Sequence, residues 1–166
     1  MTTMTARPGA AGTSPNVRAI GGAVLVVRVL LAGLFLFAAA MKLRDPQQFA
    51  FSVAAFKLLP DPLVALTTYI VPWTELVAGV CLLLGLWARA AAFVIALLLT
   101  AFIAGIVSVL QRGMNVTCGC FGKFEIPCTG PLGACHLVRN GVLLAMAAFV
   151  VWLGPGSLAV DRESQR

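Results

Sequence analysis

Four stretches of this chain, residues 19–41, 62–87, 90–110 and 133–153, are each apolar for long enough to cross a bilayer. About 20 helical residues span the roughly 30 Å of hydrocarbon. Backbone groups inside lipid must bond within their own segment, so each stretch is expected to be a helix. Apolar residues make up 60% of the chain and charged residues 11%, against roughly half and a quarter in soluble domains. Mean hydropathy is +0.98. The expected fold class is all-α: a four-helix transmembrane bundle with a short interfacial helix between spans one and two. Its environment is the lipid bilayer.

The 166 residues suit one domain. Residues 1–17, rich in Thr, Gly, Pro, Ala and Ser, are expected to be a disordered tail. Residues 18–154 form the four-span membrane domain, and 155–166 a polar C-terminal tail. Ala38-Ala39-Ala40 resembles a cleavage site, but the run before it exceeds the about 7–15 apolar residues of a signal peptide. The run is therefore read as a span.

Asp45-Pro46 has the form of an N-cap followed by proline at the first helical position. Phe49, Val53 and Phe56 then recur at helical spacing, predicting a short amphipathic helix over 47–59, ended by Pro60 and Pro62. Trp87 and Arg89 mark a tight turn that makes spans two and three antiparallel neighbours.

The formal net charge is +6, but the basic residues are scattered near helix ends. That pattern suits membrane anchoring and topology, and no basic stripe interleaved with aromatics suggests a nucleic-acid partner. With both termini inside, Arg7, Arg18, Arg89, Arg162 and Arg166 fall on the inner side. Lys42, Arg44, Lys57, Arg112 and Lys123 fall outside. Charge therefore does not decide the orientation. Clustered thiols that cycle through disulfides belong outside the reducing cytosol, which places both termini in the cytoplasm and the cysteine loop outside.

That loop carries Cys118-Gly119-Cys120-Phe121-Gly122, then Cys128, and Cys135 with His136 opening span four. Four of the five cysteines lie within 18 residues. A disulfide across Gly119 alone would close a strained ring, and strained disulfides exchange readily. Cys118 and Cys120 are expected to be the pair that meets an external partner. Cys135 sits where a helix N-terminus favours a thiolate, with Arg139 four residues on, and is expected to be the most acidic thiol. His136 could carry protons, and Cys128 could pass electrons between the two groups. Two structural disulfides are the alternative reading. Zinc is another, although Cys-x-Cys departs from the usual ligand spacing. No metal is assigned. Attached haem is not expected, for want of Cys-x-x-Cys-His. Cys81, among aliphatic residues of span two, reads as a buried apolar residue.

Arg28 and Glu75 fall near the middles of spans one and two. A charge there costs about 2.5–3.5 kcal/mol on an insertion scale, so their matched depth predicts an ion pair. The same residues, with Arg139 and Asn140, could instead form the polar wall of a cofactor pocket that takes a quinone head group. Pro72 removes one backbone hydrogen bond just before Glu75, which favours a local opening.

Five motifs in order resemble the MauE family, which groups with DoxX-like four-helix membrane proteins. They are Lys42-Leu43-Arg44-Asp45-Pro46 with Phe49; Leu58-Leu59-Pro60; Pro72-x-x-Glu75-Leu76; Cys118-Gly119-Cys120-Phe121-Gly122; and Arg139-Asn140. The resemblance runs from residue 28 to 154. It implies a multi-pass protein of the bacterial plasma membrane that helps mature methylamine dehydrogenase, whose small subunit carries many disulfides. It also implies a thioredoxin-like periplasmic partner, MauD. By architectural analogy alone, DsbB and vitamin K epoxide reductase are similar four-helix proteins that pass electrons from thiols to quinone. Cys128, Cys135 and His136 stand outside the family's pattern and suggest a more general thiol-redox role. The function expected is a thiol–disulfide oxidoreductase; the alternative is a non-catalytic membrane scaffold with structural disulfides.

Overall fold

A computed structural model describes residues 15–114, 116, 128, 132–154 and 156, with side chains from residue 20 onward. Five helices follow one another: α1 Pro15–Arg44, α2 Pro46–Ala55, α3 Asp61–Leu84, α4 Ala88–Gln111 and α5 Ala134–Leu153. Regular structure among the described residues is entirely helical. Four of the helices are long and apolar enough to cross a membrane: Ile20–Arg44, Asp61–Leu84, Ala88–Gln111 and Ala134–Leu153. Residues 15–17, expected in the tail, belong to α1.

The α3–α4 turn occupies residues 85–87, as the sequence suggests. Gly85 takes the left-handed conformation (φ 72°) that closes α3, and Leu86 N donates to Cys81 O at 2.9 Å. Glycine accepts that backbone at no steric cost. Trp87 also has positive φ (46°) and caps α4. Trp87 and Trp152 are both exposed, at the bundle end that holds this turn and the C-terminus of α5. Tryptophan at that position suits the membrane–water boundary.

The four long helices close a ring: α1 packs on α3 and α5, and α4 packs on the same two. The core between them joins Leu31, Ala32 and Phe35 of α1 to Ala78 and Leu82 of α3. Ala88, Ala91, Ala92 and Ile95 of α4 meet Ala147 and Val150 of α5. Small side chains let helix backbones approach closely, which replaces the hydrophobic drive that lipid does not supply. Outward faces carry Val26, Leu66, Ile70, Phe93 and Val142, all exposed. A smaller cluster of Phe56, Ile106, Val109 and Leu132 sits toward the far end of α4.

The expected short helix is present as α2. Asp45 caps it, its Oδ1 accepting from Gln48 N at 3.0 Å, and Pro46 opens it. It stops at Ala55, earlier than Pro60. Phe56 follows as its cap, and Lys57 turns the chain with φ 49°. Arg112, just beyond α4, holds that corner: Nη2 donates to Phe56 O at 2.6 Å and Nη1 to Lys57 O at 3.4 Å. The helix packs against α3 and, less, α1. Its apolar stripe is turned into the bundle, with Phe49 and Phe56 buried.

Gly79 marks the tightest α1–α3 approach: a Cβ there would stand 3.0 Å from Leu36 of α1. Gly79→Ala should cost little, because the Leu36 side chain can yield. Gly79→Leu should separate the helices and destabilise by about 1–3 kcal/mol. Unfolding titrations in mixed micelles will measure both; equal stability of wild type and Gly79→Leu would contradict the packing.

Candidate functional site

A cavity of about 360 Å³ lies inside the bundle, lined by side chains from all five helices. That places it at the lower end of small-molecule sites, about 300–1,000 Å³. Most of the wall is apolar. Phe35, Phe49, Phe56 and Phe102 contribute four aromatic rings, of which Phe56 and Phe102 stand tilted with centroids 6.0 Å apart. The polar part of the wall is small: Lys42, Glu75, Arg139, Asn140 and Thr67. The stripe on α2 thus closes one side of the cavity.

Lys42 and Glu75 form a buried ion pair. The Lys42 Nζ donates to both carboxylate oxygens, at 2.5 and 2.7 Å, and lies 5.2 Å from the centre of the Phe49 ring. The pairing of Arg28 with Glu75 expected from matched depth is therefore corrected: the partner is Lys42. Two physical reasons account for it. Helix α1 runs to Arg44 rather than residue 41, so Lys42 is within the helix and not in a loop. A helical side chain also leans toward its own N-terminus, which brings the long Lys42 arm back into the bundle. Arg28 lies about 21 Å earlier along the axis by helix rise. It is buried, and it does not line the cavity.

Arg139 and Asn140 enter the cavity from α5. Asn140 is oriented by donating its Nδ2 to His136 O at 2.7 Å. One turn before them, Cys135 is bonded to Cys128, with their Cα atoms 5.9 Å apart. Cys128 is buried and Cys135 exposed. Leu132 N donates to Val116 O at 2.8 Å, which draws the two ends of the loop together. Cys135, expected as a thiol, is bonded here. His136 is buried and reaches back to the helix start, its Nδ1 accepting from Gly133 N at 3.4 Å. It acts here as a cap.

Of the residues singled out in the sequence, Glu75, Arg139 and Asn140 meet at one cavity, and Cys128 meets Cys135. Cys118 and Cys120 lie outside the described residues. Cys81 is a free, half-buried thiol packed against the core. No three metal-ligating side chains converge among the described residues. Sequence reasoning missed Lys42, which follows an apolar run and reads as a headgroup anchor. The signal that could have found it is its place in one motif with Phe49, the ring of which lies 5.2 Å from Lys42 Nζ.

Four apolar helices, a closed ring and a cavity with an ion pair in its wall define a small multi-pass membrane protein. Residues 20–153 match the family described as methylamine utilisation protein MauE, and the chain belongs to that family. It is 33% identical over 134 residues to methylamine utilization protein MauE of Paracoccus denitrificans, covering 80% of this chain and 72% of that one. It is 36% identical over 124 residues to the protein of the same name from Methylophilus methylotrophus, covering 73% of this chain. That stretch spans 64% of the Methylophilus protein, just under two thirds of its length. No solved structure matches the chain.

Removing one member of the Lys42–Glu75 pair strands a buried charge. Lys42→Met and Glu75→Leu should each destabilise by roughly 3–5 kcal/mol, and the double variant should recover most of that. Arg28→Leu combined with Glu75→Leu should show no such recovery. A double-mutant cycle on thermal unfolding in detergent reads the difference.

Proposed function

We propose that this protein serves methylamine utilisation as a bacterial plasma-membrane protein that exchanges disulfides with a thioredoxin-like protein outside the cytoplasm. Membership of the MauE family supports the setting. The observation that carries the exchange is the Cys128–Cys135 disulfide at the start of α5, with one exposed and one buried half. A partner thiolate attacks the accessible sulfur of Cys135. A bond forms to Cys135 as the Cys128–Cys135 bond breaks, and Cys128 leaves as thiolate. The partner's second thiol then displaces Cys135. The partner ends oxidised, and Cys128 and Cys135 end as two thiols. The first turn of α5 favours the Cys135 thiolate in that last step.

Both termini in the cytoplasm is the orientation that accords with this exchange. Lys42, once counted among the outer charges, is buried in an ion pair. Discounting it leaves Arg44, Lys57, Arg112 and Lys123 outside against five arginines inside, which tips the charge balance the same way. An impermeant maleimide should label Cys135 in intact, mildly reduced cells. Labelling only after the membrane is breached would reverse the orientation.

A second reading, a membrane scaffold stapled by structural disulfides, draws support from the burial of Cys128. The two readings separate on trapping. Cys128→Ser leaves Cys135 without its resolving sulfur and should accumulate a mixed disulfide with a thioredoxin-like protein on non-reducing gels. Cys135→Ser should accumulate far less, because Cys128 is shielded. No adduct from either variant, with growth on methylamine retained, would favour the scaffold.

A further inference from the structure

We propose that the cavity is a binding site for a membrane quinone, with its carbonyl head against Lys42 and its tail leaving toward lipid. Three features of the wall select that chemistry. The first is the head. Lysine nitrogen carries three donors, two of which go to Glu75; the third offers a hydrogen bond to an acceptor. Glu75 balances the Lys42 charge, so this corner of the wall suits a neutral carbonyl oxygen. The second is shape. Four phenylalanines line the space, and rings of that kind hold a flat ring by edge and offset contacts. A saturated acyl chain gains nothing from them beyond burial.

The third is the exit. Leu34, Leu58, Leu59 and Ala101 line the cavity and are also exposed. They lie on the outer surface of a bundle whose surroundings are hydrocarbon, so an isoprenoid tail passes into lipid without crossing a polar barrier. The volume of about 360 Å³ takes a substituted ring with the start of a tail.

The cavity also adjoins the disulfide. Arg139 follows Cys135 by four residues, about 6 Å along α5. Binding stands by itself, and an electron-transfer role rests on the exchange proposed above. In that role the Cys128 and Cys135 thiols become a disulfide, giving up two electrons and two protons, and one quinone is reduced to quinol.

The test is equilibrium binding of a decyl-tailed benzoquinone to the full chain in nanodiscs, with oleate as a separate titrant. Saturable quinone binding is expected, weakened by about tenfold or more in Val53→Trp, which fills the cavity from α2. An azido-quinone should label wild-type peptides covering residues 49–59 or 98–105, which keeps the test independent of how well Val53→Trp folds. Equal quinone affinity in both proteins, labelling elsewhere in the chain, or saturable binding of oleate without quinone would each overturn the site. Because binding is read and not turnover, the trapping experiment can fail while the quinone still binds, and the reverse.

Discussion

The buried pair between Lys42 and Glu75 governs the rest of this structure. A lone charge at membrane depth is costly, and these two reach a tolerable state only in each other's company. Their contact at 2.5 and 2.7 Å sets the level of α1 against α3. With that register, Gly79 comes beneath Leu36, and α1 ends beside the middle of α3. The chain must then travel outward to reach Asp61, and α2 is the segment that does so. Breaking the pair would free α1 to slide, and the cavity wall would lose its polar corner.

Helix α2 converts this offset into an enclosure. Asp45 and Pro46 start it immediately after α1, and its early stop at Ala55 leaves Phe56 and Lys57 to turn the chain. Arg112 clamps that corner through two backbone carbonyls. The clamp ties the cavity's side wall to the end of α4, from which the cysteine loop departs. Phe56, Ile106, Val109 and Leu132 pack in the same place. One turn of α5 separates Cys135 of the disulfide from Arg139 and Asn140 in the cavity wall. A disulfide exchanging at the surface and a ligand held in the membrane would share that short stretch of protein.

Much of this was legible in the residues. The four spans follow from the length of the apolar runs, because hydrocarbon leaves the backbone no other partner than its own helix. The α2 cap and stripe follow from Asp45-Pro46 and the spacing of Phe49, Val53 and Phe56, since both are local. The family was legible as well, in five ordered motifs, and the match over residues 20–153 bears it out. Glu75 was legible as a charge near the middle of its span, and Arg139 and Asn140 as residues that either serve the same pocket or anchor their helix; all three line one cavity.

The partner of Glu75 was not legible. Depth counted from span centres gave Arg28, because counting treats each residue as a point on an axis. The answer depends on where α1 ends, how far α3 is offset, and which way a long side chain leans. The pairing of Cys128 with Cys135 has the same character: four clustered thiols allow several connectivities, and spacing does not rank them. Sequence by itself determined the number of helices, their membrane setting and the family, because those rest on composition and on patterns within single segments. Tertiary structure alone decided which charges meet, which sulfurs bond and where the cavity lies, because each depends on distances between segments far apart along the chain.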